Sequence, residues 1–412
     1  MKNHRLVTFI ISVFFLFAAT ASAQDAKAIF DQALADLRGG KCEAAIAGFR
    51  RFQQMEPNEP SAPFNIALCY FELKQYQNAI NDFQAAIRIK ADVPEYHRWL
   101  GSVYYELKRY NEAVAAYREA IRLRPQYTDA RLFMANALDY AGKYTEAIAE
   151  YRKILEYDPN NASVYREMGV AHELQKNYPL AAKDFERSME LDAQNSVTPY
   201  RLGVVYNELK RPAEATKMFE KAVALGHKTG WAHYELGENY YEAKRLDDAL
   251  RMYREATRLN PSNASAYKSA GDVLNELKRY PEAKAAFADA IRINPSYAAA
   301  HLGLGNSFYN DQKYTESIPH YKKTVEVSPN YQQGWYYLGD AYFNTNQIPL
   351  AFEAYNKVLS LNPKHAGATY GLGIVYRRQG KLDLAKEQKI KLDVLDKALA
   401  DRLQKLIDTP LN

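Results

Sequence analysis

Small, bulky and polar residues recur along this chain every 34 positions. Glycine stands at 101, 169, 203, 237, 271, 305, 339 and 373, and proline at 57, 125, 159, 261, 295, 329 and 363, each set on one register. Repeats can be started at 60, 94, 128, 162, 196, 230, 264, 298, 332 and 366, after a first near 26. Position 8 is then always small, Ala67 and Ala135 standing where glycine is absent, and position 20 is alanine from Ala45 to Ala385 with Ser317 as the one exception. Position 24 is aromatic in ten successive repeats: Phe49, Phe83, Tyr117, Tyr151, Phe185, Phe219, Tyr253, Phe287, Tyr321 and Tyr355. The apolar positions 4, 7, 8 and 11, then 20, 24 and 27, are spaced by three and four, which is one helical face in each of two helices. A turn near positions 14–16 parts the helices. Proline at position 32, as in Asp158-Pro159 and Asn260-Pro261, stops the second helix.

A constant period of this length is the mark of a helical repeat array. One pair alone is too short to hold a core, since chains below ~40 residues rarely do so unaided. Neighbours must supply the missing contacts. The expectation is an all-α solenoid of about eleven helix-turn-helix repeats over residues 24–399, with units near 26–59, 60–93, 94–127, 128–161, 162–195, 196–229, 230–263, 264–297, 298–331, 332–365 and 366–399.

Four places depart from the pattern. In the first repeat Phe30, Ala33, Leu34 and Leu37 fit better shifted by one, with Gly39-Gly40 in a shortened turn. The second and fifth repeats end in Ala91 and Ala193, without proline. The sixth ends in Gly226-His227-Lys228-Thr229-Gly230, read either as a hinge or as a tolerated loop variant. The last repeat has Lys389 in place of its aromatic, and Leu392, Leu395, Leu399, Leu403 and Leu406 carry a helical stripe onward. That stripe predicts a C-terminal capping helix ending within 400–412, since arrays need a polar outer face at their ends.

The pattern resembles the tetratricopeptide repeat family over essentially the whole chain after residue 23. The resemblance implies a right-handed superhelix whose first helices line a concave face, and a peptide or partner helix held there. It does not say which partner. Some members grip a C-terminal carboxylate with lysine at position 5 and asparagine at position 9. Here Arg98, Arg166 and Lys268 face Ser102, Val170 and Asp272, so that clamp is not carried over.

Position 12, expected in the groove, holds Phe71, Tyr105, Tyr241, Tyr309 and Phe343; position 5 adds Tyr234, Tyr336 and Tyr370, with Tyr337 beside them. Aromatic surface gives contact area at low entropic cost. These rings read as a docking surface or as internal packing, and both readings stand. Positions 15–16 form a second stripe, basic in ten of the eleven repeats and doubled in Lys108/Arg109, Lys210/Arg211, Lys244/Arg245 and Lys278/Arg279. It is either a set of local complements to helix ends and neighbouring glutamates or an edge that meets an anionic envelope surface.

The amino terminus reads as a secretory signal over residues 1–23. Lys2 and Arg5 precede an apolar run from Leu6 to Ala19, and Ala21-Ser22-Ala23 fits the cleavage pattern. The alternative is an uncleaved anchor, for which the run falls short of the ~20 apolar residues that span a bilayer. The formal charge is +5, and Lys2 and Arg5 account for two of it. So mild a balance gives no ground to expect nucleic acid. Cys42 and Cys69 stand in adjacent repeats at inward positions, to be bridged after export or kept as small apolar thiols. His97, His233, His301 and His172 fall at packing positions in separate repeats, so no metal or other cofactor is expected. The expected protein is a non-enzymatic interaction scaffold, exported to the periplasm or beyond the cell, with other proteins as partners. Carbohydrate binding through the aromatic groove, or service as the repeat subunit of an enzyme or secretion complex, are the alternatives.

Overall fold

The computed structural model describes residues 21–409, and these form helices joined by short turns. The expected leader lies outside the described residues except for 21–23, as do residues 410–412. The chain divides into two compact blocks, one through Ala193 and one from Gln194. The division falls at the end of the fifth repeat, where no proline fixes the exit of the second helix.

In the first block the pairs are α1 (Ala21–Arg38) and α2 (Cys42–Met55), α3 (Ser61–Glu72) and α4 (Tyr76–Ile89), α5 (Pro94–Glu106) and α6 (Tyr110–Leu123), α7 (Thr128–Tyr140) and α8 (Tyr144–Tyr157), and α9 (Ala162–Leu174) and α10 (Tyr178–Leu191). In the second block they are α11 (Val197–Glu208) and α12 (Pro212–Ala224), α13 (Gly230–Glu242) and α14 (Leu246–Leu259), α15 (Ala264–Glu276) and α16 (Tyr280–Ile293), α17 (Ala298–Asn310) and α18 (Tyr314–Val327), α19 (Gln332–Asn344) and α20 (Ile348–Leu361), and α21 (Ala366–Arg378) and α22 (Leu382–Leu395), closed by α23 (Lys397–Asp408). Within a block each helix packs on the next. First helices of successive pairs also touch, α5 with α7 and α7 with α9, then α13 with α15, α15 with α17, α17 with α19 and α19 with α21. The first helices of those pairs therefore share one face.

The turn inside each pair has one construction. Position 15 takes the left-handed conformation, with φ near +59° at Lys108, Lys210 and Lys244 and +75° at Gly142. Its amide and the next one bond back into the first helix, Lys108 N to Tyr105 O at 2.9 Å and Arg109 N to Tyr104 O at 2.8 Å. These bonds satisfy carbonyls that the helix end leaves orphaned. Between repeats, the residue before proline leaves helical geometry, as at Asn260 with ψ 84°, because proline disfavours a helical predecessor. Asn161 and Asn263, which match a glycosylation pattern, cap α9 and α15 by accepting from Val164 N and Ala266 N, each at 3.1 Å.

The core is built on position 8 against position 24. A β-carbon on Gly101 would stand 2.7 Å from the Tyr117 ring, and one on Gly339 2.7 Å from that of Tyr355. Hydrogen at this place lets the two helices close over a fully buried aromatic. The junction at 226–230 lies inside the second block. Gly226 takes φ +72° there, while His227 is buried and stacks on Tyr200 with centroids 4.8 Å apart. At the carboxyl end the leucine stripe is two helices. It breaks at Asp396, whose side chain caps α23 by accepting from Leu399 N at 3.1 Å. The expected boundary at 399 thus falls inside α23.

Candidate partner-binding face

The first helices present positions 5, 9 and 12, and the chemistry of position 9 follows that of position 24 in the same repeat. Tyrosine there donates its hydroxyl to position 9: Tyr151 to Asn136 at 2.8 Å, Tyr253 to Glu238 at 2.6 Å, Tyr321 to Asn306 at 2.9 Å and Tyr355 to Asp340 at 2.6 Å. Tyr117 shares a 3.1 Å hydrogen bond with Ser102. Where position 24 is Phe83, Phe185 or Phe219, position 9 is Leu68, Val170 or Val204. A buried hydroxyl needs a partner, and a phenyl ring does not. Asp272, opposite Phe287, departs from this rule and pairs with Lys268 Nζ at 2.6 Å.

Many of the expected groove aromatics are engaged with one another. In the first block Phe71 meets Tyr76 and Trp99 edge-on at 5.8 and 5.5 Å, and Tyr105 meets Tyr110 and Tyr140 at 5.6 and 5.7 Å. Tyr140, not singled out in the sequence, is the ring left 65% exposed. In the second block Tyr234 packs on Tyr253 and Trp231, and Tyr241 donates its hydroxyl to Glu276. Tyr309 accepts from Asn344 Nδ2 at 2.9 Å. Tyr336 and Tyr337 lie 5.4 Å apart, Tyr336 also against His365, while Phe343 packs into the core beneath. Tyr370 is drawn away from this group to the terminal helix, under the Arg402 guanidinium at 5.3 Å. The half-buried rings of Tyr234, Tyr241, Tyr309, Tyr336 and Tyr337 remain on the first-helix face.

Carboxylates lie between these rings. Burial pushes the Asp340 carboxyl up to about 6, against the lowering effect of its bonds from Tyr355 and Tyr336. Burial raises Glu235 too, with Glu238 adding repulsion. Asp272 is raised by burial, countered by Lys268. In the first block burial lifts Asp139 to about 6, against the lowering effect of the Tyr151 hydroxyl 2.6 Å from its Oδ2, and its Oδ1 is buried without a partner.

The basic edge separates into two kinds of residue. The arginines at position 16 are committed locally. Arg109, Arg211, Arg245 and Arg279 bond Glu112, Glu214, Asp248 and Glu282 at 2.7–3.1 Å. Arg109, Arg211 and Arg245 also lie over the rings of Tyr104, Tyr206 and Tyr240 at 4.0–4.7 Å. The lysines at position 15 are exposed, and of Lys108, Lys210, Lys244 and Lys278 only Lys244 forms an ion pair among the described residues, 3.7 Å from Glu276.

One device was missed in the sequence. The side chain at position 4 reaches back to the position-32 carbonyl of the preceding repeat: Arg131 to Pro125 at 2.9 Å, His301 to Pro295 at 3.0 Å, Trp335 to Pro329 at 2.9 Å and His97 to Ala91 at 2.8 Å. The signal was a run of N–H-bearing side chains at one register position. His172 Nδ1 lies 2.7 Å from Asp184. Cys42 and Cys69 are both buried free thiols in hydrogen-bonding contact, and burial pushes both upward. Among the described residues no three His, Cys, Asp or Glu side chains are grouped to hold a metal, and no helix is long and apolar enough to cross a membrane.

This geometry belongs to a class of helical-repeat binding scaffolds. Family profiles described as tetratricopeptide repeat match residues 234–298 and 279–334, 104–168, and 194–262, and one described as TPR repeat matches 67–108 and 339–380. The chain belongs to the tetratricopeptide repeat family, whose fold serves as a scaffold for protein–protein interaction. No curated protein matches it. Among solved structures it is similar to YrrB, described as a TPR protein with an unusual peptide-binding site, at 23% identity over 45% of this chain and 95% of that one, TM-score 0.43. It is also similar to pilF of Pseudomonas aeruginosa, at 19% identity over 51% and 96%, TM-score 0.43. A third is the Cut9–Hcn1 assembly of the APC/C, at 16% over 94% and 97%, TM-score 0.46.

Proposed function

We propose that this protein is an exported, non-enzymatic scaffold of the cell envelope, working in the periplasm and holding a peptide or partner helix on its first-helix face. The observation that carries the binding reading is the row of half-buried tyrosines on α13, α17 and α19, with carboxylates of α13, α15 and α19 set between them. A preformed surface of this kind binds without first ordering itself. The envelope assignment is supported by the charged start, apolar run and small-residue cleavage pattern of residues 1–23. An anionic surface along the basic edge has less behind it. The arginines are engaged, and glutamates stand two residues before the lysines, at Glu106, Glu208, Glu242 and Glu276.

The test is photo-crosslinking in the native envelope from a reactive residue at position 337, followed by mass spectrometry. A defined protein partner, lost on Tyr336→Ala, is the expected result. Recovery of the chain in the cytosolic fraction would remove the envelope assignment. Capture of glycan in place of protein would favour the carbohydrate alternative.

A further inference from the structure

The face that docks a partner also carries a charge bias. In a chain of formal charge +5, the first helices α13, α15, α17 and α19 hold six carboxylates and one ammonium. Glu235, Glu238 and Glu242 lie on α13, Asp272 and Glu276 on α15, and Asp340 on α19. The single ammonium within these helices, Lys268, is already taken by Asp272 at 2.6 Å; Lys244, from the turn after α13, also reaches this face, 3.7 Å from Glu276. The second helices beside them are balanced, three acids against three arginines on α14 and two acids against Lys284 and Arg292 on α16. The acidity therefore belongs to the first-helix face and not to the region.

We propose that this face takes a cationic peptide segment, its lysine or arginine heads set among Glu235, Glu238 and Glu276 and their stems laid on Tyr234 and Tyr241. The inference rests on the docking reading above and adds the chemistry of the occupant. Complementary charge steers encounter and fixes register. A guanidinium or ammonium is also attracted to the flat face of a tyrosine ring, and its aliphatic stem covers apolar surface. This face already shows that contact in miniature, with Lys244 Nζ 5.3 Å from the centroid of Tyr241. Glu235 and Glu238 repel one another on a partly buried surface, and a cation from outside would relieve that repulsion.

The experiment uses the full chain and a labelled glycine–serine peptide carrying three arginines, with matched peptides carrying three citrullines or three glutamates. Fluorescence anisotropy is expected to show the arginine peptide binding about tenfold or more tighter than either control. The combined variant Glu235→Gln, Glu238→Gln, Glu276→Gln should lose that advantage. Glu255→Gln with Asp289→Asn, on the second helices, should keep it. Equal binding of the arginine and citrulline peptides, or equal losses in the two variants, would overturn the proposal. If the citrulline or glutamate peptide binds best and Tyr336→Ala with Tyr337→Ala abolishes it, docking stands and the cationic occupant falls. If none of the peptides binds, both fall.

Discussion

Leu403, from the terminal helix, fills the space that a β-carbon on Gly373 would need, the contact that the aromatic at position 24 makes in earlier repeats. The last repeat has Lys389 at that place, and its side chain turns instead to Asp393 at 2.8 Å. Helix α23 therefore fills a vacancy in the core of the last pair as well as closing the array. Leu403 is fully buried, together with Leu392 and Ala400. Leu403→Ala is expected to cost about 2–5 kcal/mol, the range for buried leucine truncations. The loss should appear as faster amide exchange confined to α21, α22 and α23, because stability in such arrays is shared mainly between neighbours. Leu399→Ala, at a half-buried site, should cost less.

The contact between Gly339 and Tyr355 predicts a coupled pair. The ring cannot swing away freely, since its hydroxyl is tied to Asp340, the residue after the glycine. Gly339→Ala is expected to destabilise by about 1–3 kcal/mol through overpacking. Tyr355→Leu should absorb much of that, giving a double-mutant cycle that is clearly non-additive. Ala67 and Ala135 occupy the same position natively, which sets the size limit at one methyl group. Urea unfolding of the single and double variants measures the coupling.

The helix pairs and their turns were legible in the sequence because each leaves a residue-type constraint at fixed spacing; the small position 8 and the aromatic position 24 were legible as separate stripes, and the contact between them was not. The terminal helix was legible as a leucine stripe. Its break at Asp396 was not, since an aspartate on the polar side of a stripe looks like any other solvated residue. The aromatic positions on the first helices were legible as candidates. What each ring touches was not: Tyr370 is claimed by Arg402, 32 residues further along the chain but adjacent in space. The link between Tyr355 and Asp340 could have been read, because position 9 turns polar where position 24 gains a hydroxyl. The charge bias of α13 and α15 was hidden by the near balance of the second helices between them.

The lysines of the basic edge stand in an unfavourable backbone conformation. Lys210 and Lys278 have φ of +59° and +58°, at turns where Gly142 and Gly380 supply the same geometry without a β-carbon. Left-handed geometry costs an L-residue roughly 1–2 kcal/mol, partly offset by the greater freedom of glycine in the unfolded chain. Lys210→Gly and Lys278→Gly are each expected to raise stability by about 0.5–1 kcal/mol. Neither lysine forms an ion pair among the described residues that would oppose the gain. The measurement is the urea midpoint in moderate salt; a fall on substitution would show that the lysine side chains hold the turns.

Asp340 should make the protein more stable in mild acid than its other carboxylates would suggest. Its folded value, about 6, lies above the ordinary 3.8, so the folded state holds the proton more tightly. Below about pH 4 the group is protonated in both states and contributes no penalty. As pH rises from about 4 to 6 the unfolded chain ionises first and binds fewer protons, so this contribution to stability falls; above about 6 the loss is constant. Surface acids such as Glu112 and Glu282 are lowered by Arg109 and Arg279 and act in the opposite sense. Comparison with a variant isolates Asp340 from them. Asp340→Asn keeps an acceptor for Tyr355, as Asn306 does for Tyr321 at 2.9 Å. The variant should be more stable than the native protein at pH 7, by up to about 3 kcal/mol. The difference between the two should shrink steadily as the pH is lowered from about 6 to 4. A difference that stays constant across that window would mean the Asp340 carboxyl titrates at its ordinary value despite its burial.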